Sequence, residues 1–219
     1  MFCEKCGKEI LDDAVVCIGC GRAVKPLKAV RQYDTEVKRT SIGLLLGLLI
    51  SGGIFSSIGI GLSITGLVLS ENYSYSSSTG VILAVLGVVI FLAGFAGFIF
   101  GLVLFYIYLH RAWKMIQDGY ASTSPGEAVG FLFIPFFNLY WRFRALWGWA
   151  KDYNSYIQRN AISDAPRISE RMFLAWAILG ATAVIPYLNL LVVLPLYVIF
   201  IICTVKICKA VNFFADRKV

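Results

Sequence analysis

The stretch Thr40–Ser70, TSIGLLLGLLISGGIFSSIGIGLSITGLVLS, contains no charged residue. A helix needs about 20 consecutive apolar residues to cross the hydrocarbon core of a bilayer. The stretch therefore predicts a membrane-spanning helix near Ile42–Leu69. We do not expect it to be a cleaved signal peptide, because a long segment that includes charges and cysteines precedes it.

Three other uncharged runs extend this pattern. Asn72–His110 is longer than the first run and predicts a second spanning helix near Val81–Leu109. Met172–Val205 is also long, and it could form either one long helix or a tight hairpin that breaks near Pro186–Asn189. We favour the hairpin, because it returns the basic C-terminus to the side of the N-terminus. Ala128–Trp141 is too short for a conventional span, so we expect it to be re-entrant or interfacial.

The composition agrees with this pattern. Hydrophobic residues make up 58% of the chain and charged residues 15%, with a mean hydropathy of +0.75. Such values exclude a disordered chain and an ordinary soluble globule. The predicted fold class is an α-helical integral membrane protein, with about four membrane-inserted helices plus a re-entrant or interfacial segment, and a small N-terminal module.

The orientation in the membrane follows from the basic residues. Eight Lys and Arg residues precede the first predicted helix, whereas the loop 71–80 has none. Because short cytoplasmic segments are enriched in Lys and Arg, we expect the N-terminus to be cytoplasmic. The basic residues near the C-terminus predict the same side for that end.

The cysteines near the N-terminus form two matched pairs, separated by ten residues: Cys3-x-x-Cys6-Gly7 and Cys17-x-x-Cys20-Gly21. Two such pairs supply four thiolates, which is the closed tetrahedral shell of structural zinc. Iron could occupy the same shell, and disulfides are the other alternative, although they suit an oxidising compartment. We predict one zinc ion bound by Cys3, Cys6, Cys17 and Cys20. Four protein ligands leave no open position, so the zinc is structural and not catalytic.

The segment that contains these cysteines, FCEKCGKEILDDAVVCIGCGRAV (2–24), resembles the short zinc-ribbon modules at the N-termini of many bacterial membrane proteins. The resemblance implies a structural zinc and a surface that contacts a protein or a nucleic acid. We place the zinc ribbon at 1–24, a linker at 25–41, the membrane domain at 42–209 and a cytoplasmic tail at 210–219.

A second resemblance covers 110–147, HRAWKMIQDGYASTSPGEAVGFLFIPFFNLYWRFRALW. It is similar to an uncharacterised bacterial membrane-domain family with the pattern PG-x-AVG-x-x-F-x-P-x-x-NL. The matching positions are Arg111-Ala112, Pro125-Gly126, Ala128-Val129-Gly130, Phe133, Pro135, Asn138 and Leu139. The resemblance implies a helical organisation and no activity. Together the two resemblances predict a multi-pass protein of the bacterial inner membrane.

A short motif occurs twice in the second half of the chain. Ile134–Leu139 and Ile185–Leu190 share the pattern I-P-aromatic-x-N-L. Proline breaks the helical hydrogen-bond ladder, and asparagine can bind the groups that are freed. The two motifs either turn the chain or mark a solute site at broken helices. Asn138 and Asn189 are therefore the candidate polar contacts in the membrane core.

Small residues also recur four apart in the first two helices: Gly43, Gly47 and Ser51, then Ala93, Gly97 and Gly101. This spacing lets helix backbones approach closely. It is compatible with packing inside the bundle, which we favour, and with a homo-oligomer.

The sequence carries no Walker loop, Rossmann fingerprint, G-x-S-x-G or H-E-x-x-H motif. We therefore expect a non-enzymatic adaptor, regulatory or assembly protein, whose cytoplasmic zinc ribbon contacts a protein partner and not a nucleic acid. The alternative is a small transporter, channel or lipid-handling protein that uses the two broken I-P-x-x-N-L segments. The lipid bilayer is a partner in either case.

Overall fold

The computed structural model describes residues 2–3, 6–9, 19–20, 37–72 and 77–217. Its helices are α1 (Ile42–Asn72), α2 (Ser77–Lys114), α3 (Pro125–Gly130), α4 (Phe137–Arg142), α5 (Trp149–Arg159), α6 (Glu170–Thr182) and α7 (Leu188–Asp216). A 3-10 turn follows α3 at Phe131–Phe133, and a π-helix, Phe143–Gly148, joins α4 to α5. Of the described helices, α1, α2 and α7 are long and apolar enough to cross a membrane. The predicted class of helical membrane protein is confirmed.

Helices α1 and α2 form a hairpin whose backbones touch. Glycines recur every seven residues along both helices, at Gly52, Gly59 and Gly66 in α1 and at Gly80, Gly87 and Gly94 in α2. A Cβ on Gly52 would lie 2.6 Å from the backbone nitrogen of Phe98, and one on Gly87 would lie 2.5 Å from that of Ser63. A seven-residue period keeps one face of each helix on its partner. We call this pair of faces the glycine seam.

Most of the small residues that recur four apart lie outside the glycine seam. A Cβ on Gly43, Gly47 or Gly97 would meet nothing within 4 Å, whereas one on Gly101 would contact Leu49. The four-residue pattern therefore does not describe how α1 and α2 pack. The packing face is the glycine seam, which Gly101 extends seven residues after Gly94.

The segment from α3 to α4 turns back on itself. The indole nitrogen of Trp141 donates to the carbonyl oxygens of Glu127 (3.0 Å) and Ala128 (3.3 Å), so the two arms lie side by side. Phe136 at the tip is 88% exposed. We call this element, residues 125–142, the α3–α4 hairpin. Its placement relative to the membrane stays a prediction.

Both I-P-aromatic-x-N-L motifs form the same tight turn. Phe136 and Tyr187 have φ of 62° and 67°, in the left-handed region that residues with a Cβ rarely adopt. In each turn the amide two residues after the proline donates to the proline carbonyl, at 2.7 Å and 2.9 Å. The following asparagine amide donates to the isoleucine carbonyl, at 3.0 Å and 3.1 Å. The motif is therefore a repeated reverse turn between helices.

The second of these turns joins α6 to α7. The rings of Trp176 and Phe200 lie 5.7 Å apart, which pairs the two helices as the predicted hairpin. Its arms are unequal: α6 has 13 residues, about 20 Å, whereas α7 has 29 and continues to Asp216. Since α6 is shorter than the roughly 30 Å hydrocarbon core, the predicted count of four inserted helices is not confirmed.

The core of the bundle lies where α2 ends and the π-helix begins. Trp113 donates its indole hydrogen to the Ala145 carbonyl oxygen, and Trp149 donates to that of Ala112, both at 3.0 Å. Both indoles are fully buried. Nearby, Tyr153 donates to the Pro166 carbonyl at 3.1 Å, and burial raises the pKa of its phenol above the usual range. These bonds fix the π-helix and α5 against α2.

A capping box starts α3. The Glu127 amide donates to the Ser124 hydroxyl (3.3 Å), and the Ser124 amide donates to the Glu127 carboxylate (3.1 Å), which lowers the pKa of that carboxyl. We expect Ser124→Ala to destabilise this helix start by about 0.5–2 kcal/mol and to speed amide hydrogen exchange at Glu127. Ser122→Ala is the control, because Ser122 contributes only its backbone amide, to Asp152. Equal exchange in the two variants would contradict the assignment.

Candidate metal centre and membrane cavity

The first cysteine pair lies in a tight knuckle. The Gly7 amide donates to the Cys3 carbonyl at 2.8 Å, and the Cys3 amide donates to the Lys8 carbonyl at 2.9 Å. Gly7 has φ of 67°, a conformation that glycine adopts without steric cost. An antiparallel bridge between Phe2 and Glu9 closes the loop. The glycine after the second cysteine therefore lets the chain turn around the sulfurs.

Three thiols converge in this knuckle. The Sγ atoms of Cys3, Cys6 and Cys20 all lie within 4.8 Å of one another, and those of Cys3 and Cys20 are 3.7 Å apart. Zinc–sulfur bonds of about 2.3 Å in a tetrahedron separate the sulfurs by about 3.8 Å, whereas a disulfide bond is about 2.05 Å long. The geometry fits a thiolate shell around one metal ion. The fourth predicted ligand, Cys17, lies outside the described residues.

Gly19 packs closely on the first cysteine knuckle. A Cβ on Gly19 would lie 3.6 Å from the Sγ of Cys6 and 2.8 Å from Cδ of Lys8. A larger residue at position 19 would therefore have to displace the Lys8 side chain. Because a segment this short has few apolar residues to bury, metal binding would supply most of its folding free energy.

The two candidate asparagines lie in different places. Asn138 lines a partly open cavity of about 290 Å³ between α2, α4, α6 and α7. Asn189 is exposed at the start of α7 and is not among the residues that line this cavity. The repeated motif therefore does not bring its two asparagines to one site.

Arg142 also lines this cavity, together with Asn138, and none of the sequence motifs described above points to it. The sequence does contain one indication of this position: Arg142 follows Asn138 by four residues, which places both on one face of a helix. In the structure Arg142 lies against Gly180, where a Cβ would overlap its Nη1. The contact between α4 and α6 that creates this overlap could not be inferred from the sequence.

Comparison with known proteins identifies the N-terminal module. Residues 2–24 match the family of the zinc-ribbon domain. The three-thiol cluster lies within this match, so the module is a zinc ribbon with one structural zinc as its cofactor. The membrane domain is not identified by a family match, and its resemblance to an uncharacterised family stays a prediction. No curated protein and no solved structure matches the chain.

Proposed function

We propose that this chain is a non-enzymatic membrane adaptor, regulatory or assembly protein, whose zinc ribbon contacts a cytoplasmic protein partner. The observation that carries the proposal is a metal-organised module with exposed side chains on a membrane bundle. Phe2 is 70% exposed beside the thiol cluster, and Lys8 and Glu9 are also exposed. A large exposed aromatic side chain flanked by charges is typical of a protein contact surface.

The proposed location is the bacterial inner membrane, with both termini in the cytoplasm. The start of α1, the end of α2 and the end of α7 meet at one end of the bundle. Nη1 of Arg111 donates to the Arg39 carbonyl oxygen at 3.1 Å. Nε of Arg39 lies 3.3 Å from Oδ1 of Asp216. The Asn212 side chain donates to the Thr40 carbonyl at 3.0 Å. The cations at this end support its cytoplasmic placement, and a reducing compartment suits zinc-bound thiolates.

Partner binding can be tested with the full-length protein in crosslinked cells. We expect Cys20→Ser to remove the specific cytoplasmic partners and the zinc while membrane insertion stays intact. Phe2→Ser should weaken the same partners and keep the zinc, because Phe2 is not a ligand. The measurement is affinity purification with quantitative mass spectrometry, together with a zinc assay on each sample.

Cys203→Ala is the matched control, since this buried cysteine of α7 lies in the membrane domain. Its partner profile should equal that of wild type. If Cys20→Ser loses zinc and keeps every partner, the ribbon is not the contact surface and the proposal fails.

The second candidate function is lipid handling, which one observation favours over a transporter or a channel. The cavity that Asn138 lines also contains Arg142, and its other walls are mostly apolar and aromatic. An apolar cavity with one cationic end suits an amphiphile better than a small polar solute. Asn189 lies outside the cavity and has no role in this candidate.

A further inference from the structure

The cavity between α2 and α7 has an apolar part and a polar end. α2 contributes Phe98 and Leu102, α7 contributes Val193 and Leu196, and α6 contributes Trp176. Val193 is 45% exposed, so the apolar part opens toward the surface that lipid would cover. Its volume of about 290 Å³ is close to the lower end of small-molecule sites, roughly 300–1,000 Å³. It can hold part of one acyl chain.

Arg142 forms the polar end. It lies four residues after Asn138 on α4, so both side chains face the cavity. Its guanidinium lies against α6 at Gly180, where the missing side chain leaves room for it. Within the described part of the chain, no carboxylate forms an ion pair with Arg142.

The depth of Arg142 makes this cation unusual. It lines the cavity together with Tyr106, which lies one helical turn, about 6 Å, before His110 on α2. Arg142 is therefore deeper in the membrane than the cations at the end of α2. An unpaired charge at such a depth is costly, and intramembrane cations are as a rule paired or face a polar ligand. A bound anion would offset this charge.

We propose that the cavity binds one anionic phospholipid, with its phosphate on the Arg142 guanidinium and part of one acyl chain between α2 and α7. Arginine binds phosphate through paired hydrogen bonds, and the Asn138 amide can donate to a headgroup oxygen. The net anionic headgroup also balances the positive charge of Arg142. This inference deepens the lipid-handling candidate, on which it rests, and does not depend on the zinc ribbon.

The test uses the full-length protein in detergent and native mass spectrometry. The probes are phosphatidylglycerol and phosphatidylcholine with identical chains. We expect wild type to bind one phosphatidylglycerol in preference to phosphatidylcholine. Arg142→Gln should weaken this binding about tenfold or more, because it removes a charge-assisted contact. Arg144→Gln is the matched control: it removes the same charge two residues away, from an exposed side chain outside the cavity.

Two further variants distinguish lipid binding from the binding of a free phosphate, and a specific loss of binding from a loss caused by misfolding. Gly180→Ala keeps the charge but displaces the flexible guanidinium, so it should weaken phosphatidylglycerol binding. Leu102→Trp should fill the apolar part and weaken the same binding without a change of charge. Inorganic phosphate at millimolar concentration should not compete. Competition by phosphate, with no effect of Leu102→Trp, would assign the site to a soluble anion and overturn the inference.

The remaining outcomes are also decisive. Equal losses in Arg142→Gln and Arg144→Gln would mean nonspecific attraction to surface charge and would overturn the inference. If wild type and Arg142→Gln retain the same bound lipid, that lipid lies elsewhere, so the inference fails while lipid handling survives. A wild-type protein that binds neither lipid would contradict both.

Discussion

Gly94→Ala should destabilise the α1–α2 hairpin by about 1–3 kcal/mol or more. The added Cβ would lie 2.6 Å from the Ser56 backbone nitrogen and 2.8 Å from the Phe55 Cβ. Neither atom belongs to the end of a flexible side chain, so the two helices must separate. The measurement is the thermal or denaturant unfolding of the purified protein in detergent.

The control for this prediction lies one turn away on the same helix. A Cβ on Gly97 would meet nothing within 4 Å, so Gly97→Ala should be neutral or stabilising by about 0.5–1 kcal/mol, the helix preference of alanine over glycine. A comparison of the two variants separates packing from helix propensity. If both variants unfold at the wild-type temperature, the glycine seam does not hold the hairpin together.

Removal of zinc should unfold the ribbon and leave the helical bundle folded. Structural zinc in modules of this size contributes roughly 10–16 kcal/mol of apparent binding free energy at neutral pH. We expect one zinc per chain before treatment with a strong chelator and none afterwards. Limited proteolysis should then cleave within residues 2–24, while α1, α2 and α7 stay protected.

Cys20→Ser should reproduce the effect of the chelator without any reagent, because it removes one of the converging thiols. Cys203→Ala should retain one zinc and the wild-type cleavage pattern. An intact, protease-resistant ribbon in the metal-free protein would contradict the assignment of a structural zinc. Recovery of iron in place of zinc would change the identity of the metal but not the ligand set.

The long helices could be predicted from the sequence because their apolar runs exceed the thickness of a bilayer. The runs predicted spans near Ile42–Leu69 and Val81–Leu109, and the helices occupy Ile42–Asn72 and Ser77–Lys114. The predicted helix ends were less accurate, because spanning helices continue beyond the uncharged run into polar sequence. The turn between α6 and α7 was predicted correctly from Pro186, because proline cannot continue the hydrogen-bond ladder.

The packing face of the hairpin was not predicted, for a physical reason. The chain has 20 glycines, so series with periods of four and of seven both occur in α1 and α2. Which of these glycine series contacts the neighbouring helix depends on how α1 and α2 are rotated relative to each other. The exact seven-residue recurrence of Gly52, Gly59 and Gly66 was the better signal, because it matches the period of two supercoiled helices.

The thiol cluster could be predicted from the spacing of the cysteines, and Cys3, Cys6 and Cys20 converge as expected. The residues that line the proposed membrane cavity follow from the sequence only in part. Asn138 faces the cavity, but the equivalent Asn189 does not, because the second turn lies at an exposed end of its hairpin. The position of Arg142 depends on contacts between α2, α4 and α6, which are distant in sequence.

The glycine seam also implies an order of assembly during synthesis. Its contacts, from Gly52 against Phe98 to Gly80 against Ser70, all lie within one pair of neighbouring helices. Such local contacts close with little loop entropy, so α1 and α2 can pair before the rest of the chain leaves the ribosome. Helix α7 then packs on this pair through two contacts. The Tyr197 hydroxyl donates to the Leu49 carbonyl at 3.2 Å, and the Phe200 ring lies 5.2 Å from the Phe105 ring. The first hairpin is thus the template on which the later helices dock.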